Sequence, residues 1–403
     1  MSSWTERPLG ELLDVLIDHR GKTPKKLGGD GFTDFGVPVV SAMHVRNGRV
    51  DLTLQRRYVP EWMFKRWMPV RLQRGDVLLT SEAATFGAIA QVPTNDDLVL
   101  SQRLFALRGR SGVLDSSYLR YFLESEPGQQ RLRERASGSS VTGIRQSELV
   151  RVLVPLRDFA EQRRVAAVLG ALDDLIENHR TQALASIDLA KAVIQAAPAD
   201  RRVRVVDEAN VRRGLSYKGA GLAAVGMPMV NMGSAANFGW LKRDGWKHYV
   251  GDYKPRHVAR GGDLIITNTE QTWRQEIIGW PMLVPSDIHE ALFTHHTYLV
   301  DFSAESAWMR LALWAHLFTN EARAVLDGSI RGTTVANLPI GAVEALTFPV
   351  PTEDSTHLDA GRALLESAWA DEVAQIEFSR TRDELLPLLM SGKVRVSEDL
   401  AVA

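Results

Sequence analysis

Two long stretches of the chain place apolar residues at steps of three and four, and each follows a globular stretch rich in strand-forming residues. The first runs from Asp158 to about Ala197, DFAEQRRVAAVLGALDDLIENHRTQALASIDLAKAVIQAA. Val165, Val168/Leu169, Leu172, Leu175/Ile176, Ala183/Leu184 and Ile187 fall on one stripe, as one face of a helix requires. Asp158 is placed to cap the helix, and Glu161 follows at capping-box spacing. Pro198 ends it, because the residue before a proline is pushed out of the helical region. The spacing predicts one helix of roughly 39 residues, about 58 Å long at 1.5 Å per residue. The opposite face carries Arg163, Arg164, Asp173, Asp174, Glu177 and Arg180, so the apolar stripe calls for one partner helix rather than burial all round.

The second stretch follows Pro351 and supplies that partner. Leu358, Leu365, Trp369, Val373 and Ile376 share a face, Thr352 to Ser355 offer caps, and Pro387 predicts a break or kink. Two such helices in one chain would pair antiparallel.

The globular stretches repeat one plan. In the first, strands are expected at Val37–Val45, Asp76–Thr80, Ala88–Val92 and Leu98–Leu107, with a helical stretch from Ser117 to about Ala136 interrupted near Pro127. Five landmarks recur in order, offset by 187 to 196 residues. Arg20-Gly21 is matched by Arg213-Gly214, and Val37–Val40 by Met227–Val230. Gly75–Thr80 is matched by Gly262–Thr267, Gly138-Ser139 by Gly328-Ser329, and Val154-Pro155 by Val350-Pro351. A long internal repeat means two copies of one structural unit. The expected fold class is α+β: two duplicated α/β domains, each followed by a long helix, the helices pairing as an antiparallel coiled coil. The bounds are 1–157 and 198–351 for the domains, 158–197 for the central helix, and 352–403 for the C-terminal helix and tail.

Composition narrows the functions. The chain has 403 residues, no cysteine and a net charge of −1, which removes disulfides and thiolate metal sites. The charge is uneven: residues 1–157 hold 23 Lys/Arg against 17 Asp/Glu, residues 198–352 hold 16 against 15, and residues 353–403 hold 5 against 11. A DNA-binding face fits a chain whose acidic excess is confined to helices. No apolar run nears the ~20 residues that span a bilayer, and the N-terminus lacks the plan of a signal peptide, so a cytoplasmic protein without a membrane partner is expected.

Enzyme tools are missing. Gly21-Lys22-Thr23 resembles the end of a phosphate loop, but the glycine required earlier would fall on Leu16. No Asn-Pro-Pro-Tyr/Phe methyltransferase signature and no dinucleotide-binding glycine fingerprint occur. His295 and His296 are adjacent and, if they lie on a strand, point to opposite faces.

The middle of the chain, with Pro155 and then Ala160-Glu161-Gln162-Arg163 opening a helix, resembles the specificity subunit of type I restriction-modification enzymes, as do Arg20–Pro24, Ser101-Gln102 and the LLPLLMSGKVRV ending. The second helix departs from the pattern: it opens TEDSTHL, without Ala-Glu-Gln. The resemblance implies a non-catalytic subunit of a phage-defence system. Two target-recognition domains would read the halves of a bipartite site on double-stranded DNA, and paired helices would fix the gap between them. Two methyltransferase subunits would assemble around it, with two ATP-dependent translocase-nuclease subunits in the full complex. S-adenosylmethionine, ATP and magnesium would belong to those partners, and none to this chain. The other reading is a duplicated DNA-binding or protein-interaction adaptor unlinked to methylation.

DNA contacts are expected on loops. Arg20, Lys22, Thr23, Lys25 and Lys26 suit phosphates, with Ser216, Tyr217 and Lys218 at the matching place in the second half. Ser81 and Thr85 follow one Gly-Asp strand, and Asn268, Thr269, Gln271, Thr272 and Arg274 the other, where amides and guanidinium can read base edges. Arg145 and Arg331 complete the set. Trp240, Trp246, Trp273 and Trp280 are expected to pack rather than stack on bases.

Overall fold

A computed structural model describes residues 5–397 apart from 47, 139–141, 273 and 333. The chain divides into two compact units: Met1–Ile176 with Ile376–Ala403, and Glu177–Gln375.

In the first unit, the six-stranded sheet runs in the order Leu13–Asp18, Leu104–Gly109, Val77–Thr80, Ile89–Gln91, Gly48–Val50, Val45–Arg46. The strand Val77–Thr80 is buried along its whole length because both faces of the sheet are covered. Val77 and Leu79 pack with Phe105, Tyr118, Leu119 and Phe122, on the side of the helices Ser116–Glu124 and Glu126–Glu134. Leu78 turns the other way, to Val39, Trp67, Val99 and Ala106, as the twofold alternation of a strand dictates. The two helices are separate because Ser125 ends one and caps the next, with Pro127 inside the first turn of the second.

The second unit is built on the same frame. Ala209–Arg213, Thr297–Phe302, Leu264–Thr267 and Pro281–Leu283 take the same order as the first four strands above, all antiparallel in both units. Val37–Val40 runs parallel to Val99–Leu100 and antiparallel to Tyr58–Val59. Met227–Val230 does the same with Ala291–Phe293 and Lys247–Tyr249. Leu264 and Ile266 face one core and Ile265 the other.

The duplication is real, but two landmarks shift. Leu153–Leu156 pairs with Thr5–Pro8 as Thr347–Val350 pairs with Arg201–Arg204, so Val154-Pro155 corresponds to Phe348-Pro349, not Val350-Pro351. The bridge Ser137↔Gly143 recurs as Arg331↔Asn337, so Gly138 corresponds to Gly332, both at positive φ. Gly328 lies instead within the helix Asn320–Ser329. The expected strand Val37–Val45 stops at Val40, where a turn of 3-10 helix (Ala42–His44) intervenes. Leu98–Leu107 is cut by a turn at residues 101–103.

The long helices span Phe159–Gln195, 37 residues, and Thr356–Ser391, 36 residues. Each unit holds the start of one and the end of the other, and in each they run antiparallel. In the first unit Asp173 meets Arg382 at 3.1 Å, and Arg157 donates to the carbonyl of Leu389. In the second unit His179 Nδ1 lies 2.7 Å from an Asp371 carboxylate oxygen. There Gly361 admits Ile194 so closely that a Cβ would stand 2.4 Å from its Cγ1.

Val165, Leu169, Ala183, Ile187, Leu358, Leu365 and Trp369 are buried as the spacing predicts, joined by Ala166, Ala190, Ile194 and Ala368, whereas Leu175, Leu184 and Ile376 are exposed by 39 %, 50 % and 49 %. Asp173, expected on the outer face, is buried. Glu161 holds the Arg157 guanidinium at 2.7 Å. The C-terminal helix continues through Pro387. Among the described residues no helix is long and apolar enough to cross a membrane.

Candidate nucleic-acid interface

In the first unit, a cleft of about 350 Å³ opens beside the Arg20–Lys26 loop, lined among others by Lys22, Phe32, Gln55, Arg57, Gln102 and Arg103. Its floor is set by the parallel pair Val37–Val40 and Val99–Leu100, whose following turns carry Ser41 and Ser101 to the rim. Donors of amide and guanidinium type around an open cleft suit base edges and phosphates.

The candidate loop residues divide. Lys25 and Lys26 are exposed. Lys22 is half-buried and donates to the Trp67 carbonyl at 3.2 Å, and Thr23 accepts from the Lys26 amide; both brace the loop. Arg20 clasps Asp18 through Nε at 2.9 and 3.0 Å and lies over the Phe105 ring at 4.8 Å, so much of its charge is met inside the protein. Arg145 is exposed and shares a shallow polar groove with Asp18, Arg20 and Gln146. Next to this loop, His19 is buried; burial and then Lys22 lower its pKa from 6.5 to about 4.

Three residues expected at bases are not available to them. Ser81, Asn268 and Thr269 are exposed by 1 %, 0 % and 5 %. Ser81 and Asn268 are equivalent: the amide of Ser81 donates to Arg103 and that of Asn268 to His296, while their carbonyls accept from Ile144 and Leu338. The Asn268 side-chain amide donates to the His295 carbonyl, and Thr269 Oγ1 donates to Asn268. Both positions lock the strand exit to neighbouring loops through their backbones, and Asn268 does so through its side chain as well. Their short polar side chains look alike whether they face DNA or backbone, which is why the sequence misleads there.

The residues beyond them are on the surface. Thr85, Gln271, Thr272, Arg274 and Arg331 are exposed. Thr272 donates to Glu270, a buried carboxylate that also accepts from the amides of Glu276, Ile277 and Ile278. Glu270 thus shapes the loop that presents Gln271 and Arg274, with Arg274 3.8 Å from Glu276. Arg331 occupies the place of Ser137, not of Arg145.

At the equivalent of the Arg20 loop, Arg213 lies over Tyr298, 5.7 Å from its ring centre, as Arg20 does over Phe105. Ser216 and Lys218 are exposed. Tyr217 accepts from Lys247 Nζ at 2.8 Å and packs edge-on to Tyr249 and near His295. The turn that carries Gln102 and Arg103 in the first unit carries His295 and His296 in the second. Their rings lie 3.8 Å apart, so they face one another rather than opposite sides; a turn has replaced the strand assumed. Burial, then His295, Arg213 and Lys247, lower the pKa of His296. Gln55, Arg57, Gln102 and Arg103 meet at the cleft of the first unit from distant parts of the chain, and in the sequence only the Ser-Gln pair at 101–102 points to them. Trp240 stacks on Trp369, Trp246 donates to Lys242, and Trp280 lies under Arg323; all three pack. Trp273 and Ser139 lie outside the described residues.

No family model matches the chain. It is 34 % identical over 110 residues, 27 % of its length, to the type I restriction enzyme MjaIX specificity subunit of Methanocaldococcus jannaschii. It is 26 % identical over 183 residues, 44 % of its length, to the MjaVIII specificity subunit of the same organism. Those matches span 24 % and 41 % of the relatives' own lengths. Among solved structures, the type I restriction-modification S subunit from M. genitalium aligns over 97 % of this chain and 94 % of its own, with a TM-score of 0.52 and 14 % identity. In sequence the chain is similar to type I restriction enzyme specificity subunits over part of its length, and over nearly all of it the fold is that of a type I S subunit.

Proposed function

We propose that this chain is the non-catalytic DNA-specificity subunit of a type I restriction-modification complex. The observation that carries the reading is the repeat itself: two units on one strand order, each with polar and cationic loops at the same places and each holding one end of both long helices. Each unit reads one half of a bipartite site on double-stranded DNA, and the helix pair sets the gap. Two methyltransferase subunits, and two translocase-nuclease subunits in the full complex, assemble on it. S-adenosylmethionine, ATP and magnesium act in those partners. The test maps adenine methylation in cells with and without the chain, alongside co-purification. A bipartite methylated motif that vanishes with the chain, and a methyltransferase subunit that purifies with it, support the reading. An unchanged methylome and a chain that purifies alone with DNA affinity would make it an adaptor. Turnover by the isolated chain given S-adenosylmethionine, ATP, magnesium and DNA would overturn it as well.

A further inference from the structure

The sequence GFTDFGV at residues 31–37 has a counterpart, GLAAVGM, at 221–227. Both segments pass round the end of one strand. Thr33 bridges Tyr58 on one side, and Val37 pairs with Val59 on the other. In the second unit Leu222 and Met227 both pair with Tyr249, from opposite sides. The closing glycines, Gly36 and Gly226, have φ of 124° and 156°, and a Cβ on either would strike the carbonyl of Val59 or Tyr249 at 2.4 or 2.7 Å. At the crest of each turn, just before the glycine, stands an apolar side chain in solvent: Phe35 is 82 % exposed and Val225 81 %. These are the two most exposed of the large apolar side chains among the described residues, and they fall at equivalent positions of the two copies. Chance exposure of a loop residue does not explain why both copies hold the same apolar crest.

We propose that Phe35 and Val225 are DNA-contacting residues, each pressing its apolar side chain against a base step or thymine methyl of its half-site. This rests on the DNA-reading role argued above. Apolar side chains serve DNA in these two ways, as wedges between base steps and as partners of the thymine methyl. The first loop, residues 31–37, has no cation of its own, so it offers an aromatic face rather than a phosphate clamp. Cations stand beside it. Arg57 lies over the neighbouring Phe32 ring, 5.5 Å from its centre, and Phe32 and Arg57 line the cleft with Gln102 and Arg103. In the second unit Lys247 precedes Tyr249 on the strand the turn encircles, and Lys254 and Arg256 are exposed just beyond it. A protein partner would want a broad apolar centre with charge kept to the rim, whereas small apolar crests with cations on the adjoining strand and loop suit a polyanion with apolar steps.

The test uses the full chain, in complex with whatever methyltransferase subunit co-purifies, and a duplex carrying the site fixed by methylation mapping. 2-Aminopurine is placed at successive positions of each half. Binding of the wild type should raise fluorescence at a step in one half, and Phe35→Ala should abolish that rise and weaken binding about five- to tenfold. Val225→Ala should act on the other half alone, weakening binding about two- to threefold through the smaller contact. Val225→Phe should create or enlarge a signal there. Both crests are exposed, so melting temperatures should not move. If Phe35→Ala and Val225→Ala bind the duplex as the wild type does with unchanged fluorescence, the proposal is overturned while the DNA-reading role stands. Loss of the co-purifying subunit at unchanged DNA affinity would assign the crests to a protein surface and likewise overturn it. A wild type that binds no duplex would overturn both.

Discussion

The two units share a frame yet fasten it to the helices by different means, and the difference lies in polar residues rather than in the core. In the first unit Gln162, fully buried, donates to the carbonyls of Val113 and Arg157 and accepts from the amide of Asp115. Asp173, one helical stretch further on, accepts from Arg120 at 2.5 Å, Tyr121 at 2.7 Å and Arg382 at 3.1 Å. In the second unit the start of the helix buries the apolar Leu358 and leaves Asp359 exposed, and the helix end is tied instead by Gln195 to the carbonyl of Ala315. The carboxylate that ties the long helix there is Glu372, half-buried, which accepts from Trp240 and Arg243, while Arg243 also holds Asp287 at 2.7 and 2.8 Å. Burial alone would raise both carboxyls. Arg120, Tyr121 and Arg382 more than offset it at Asp173, whose pKa is lowered, whereas at Glu372 burial prevails and the pKa is raised. A duplicated core therefore keeps its strand order while its polar fastenings drift, because apolar packing asks for volume and a buried polar network asks for complete partners.

The sharpest way to break the comparison is to remove the carboxylates. Asp173→Ala leaves Tyr121 and one arm of Arg120 buried without their acceptor, while Glu124 still pairs Arg120 at 3.0 Å, and should destabilise the first unit by about 3–4 kcal/mol. Glu372→Ala should cost about 1–2 kcal/mol, since Arg243 keeps Asp287. Hydrogen exchange locates the loss: protection should fall in 116–134 for the first variant and in 309–329 for the second. Equal losses would mean that the two fastenings are equivalent after all.

Much of this architecture is legible in the sequence, because periodicity reports burial directly. The long helices, the antiparallel partner and the repeat all follow from spacing. Asp173 is legible only as a charge, since nothing in its neighbours says that Arg120, 53 positions earlier, folds onto it. The interface is read less well. Lys25, Lys26, Gln271 and Arg274 stand on the surface as their loops suggest, but Asn268 and Ser81 have the chemistry of base readers and the burial of core. The crests Phe35 and Val225 show the reverse: apolar residues that a sequence assigns to the interior.

Acid offers a second, smaller contrast. His19 is 5 % exposed and titrates at about 4 rather than 6.5. The unfolded chain takes up its proton first as the pH falls, so the stability held above pH 6.5 is lost progressively down to about 4 and is constant below. The loss should approach about 3 kcal/mol. His257, His296 and His316 in the second unit are shifted in the same direction, so acid should loosen both units. His19→Gln should remove the slope from the first alone; unfolding midpoints at pH 7 and pH 4.5 decide it.

The Ala-Glu-Gln opening tests the asymmetry more finely. Gln162→Ala strands two carbonyls and one amide and should cost about 2–3 kcal/mol, whereas Asp359→Ala, at an exposed site, should stay within about 0.5 kcal/mol. Denaturant midpoints compare the two. A matching loss at Asp359 would show that the second helix is fastened at its start as the first one is.

The smallest effect concerns the loops, and it separates residues that reach DNA from those that hold the loop. Lys25 and Lys26 are free to meet phosphates, while Lys22 is anchored on Trp67. Replacing Lys25 and Lys26 by Gln should lower the slope of log affinity against log salt by about two, about one for each phosphate no longer neutralised. Lys218→Gln in the second unit should lower it by about one. Lys22→Gln should leave the slope nearly unchanged and act on thermal stability instead. Binding of one duplex at several salt concentrations reads all three. A slope lowered by Lys22→Gln to the same degree as by the exposed lysines would show that the Trp67 hydrogen bond gives way when DNA binds, and the first unit would then engage phosphates with the whole loop rather than with its outer edge.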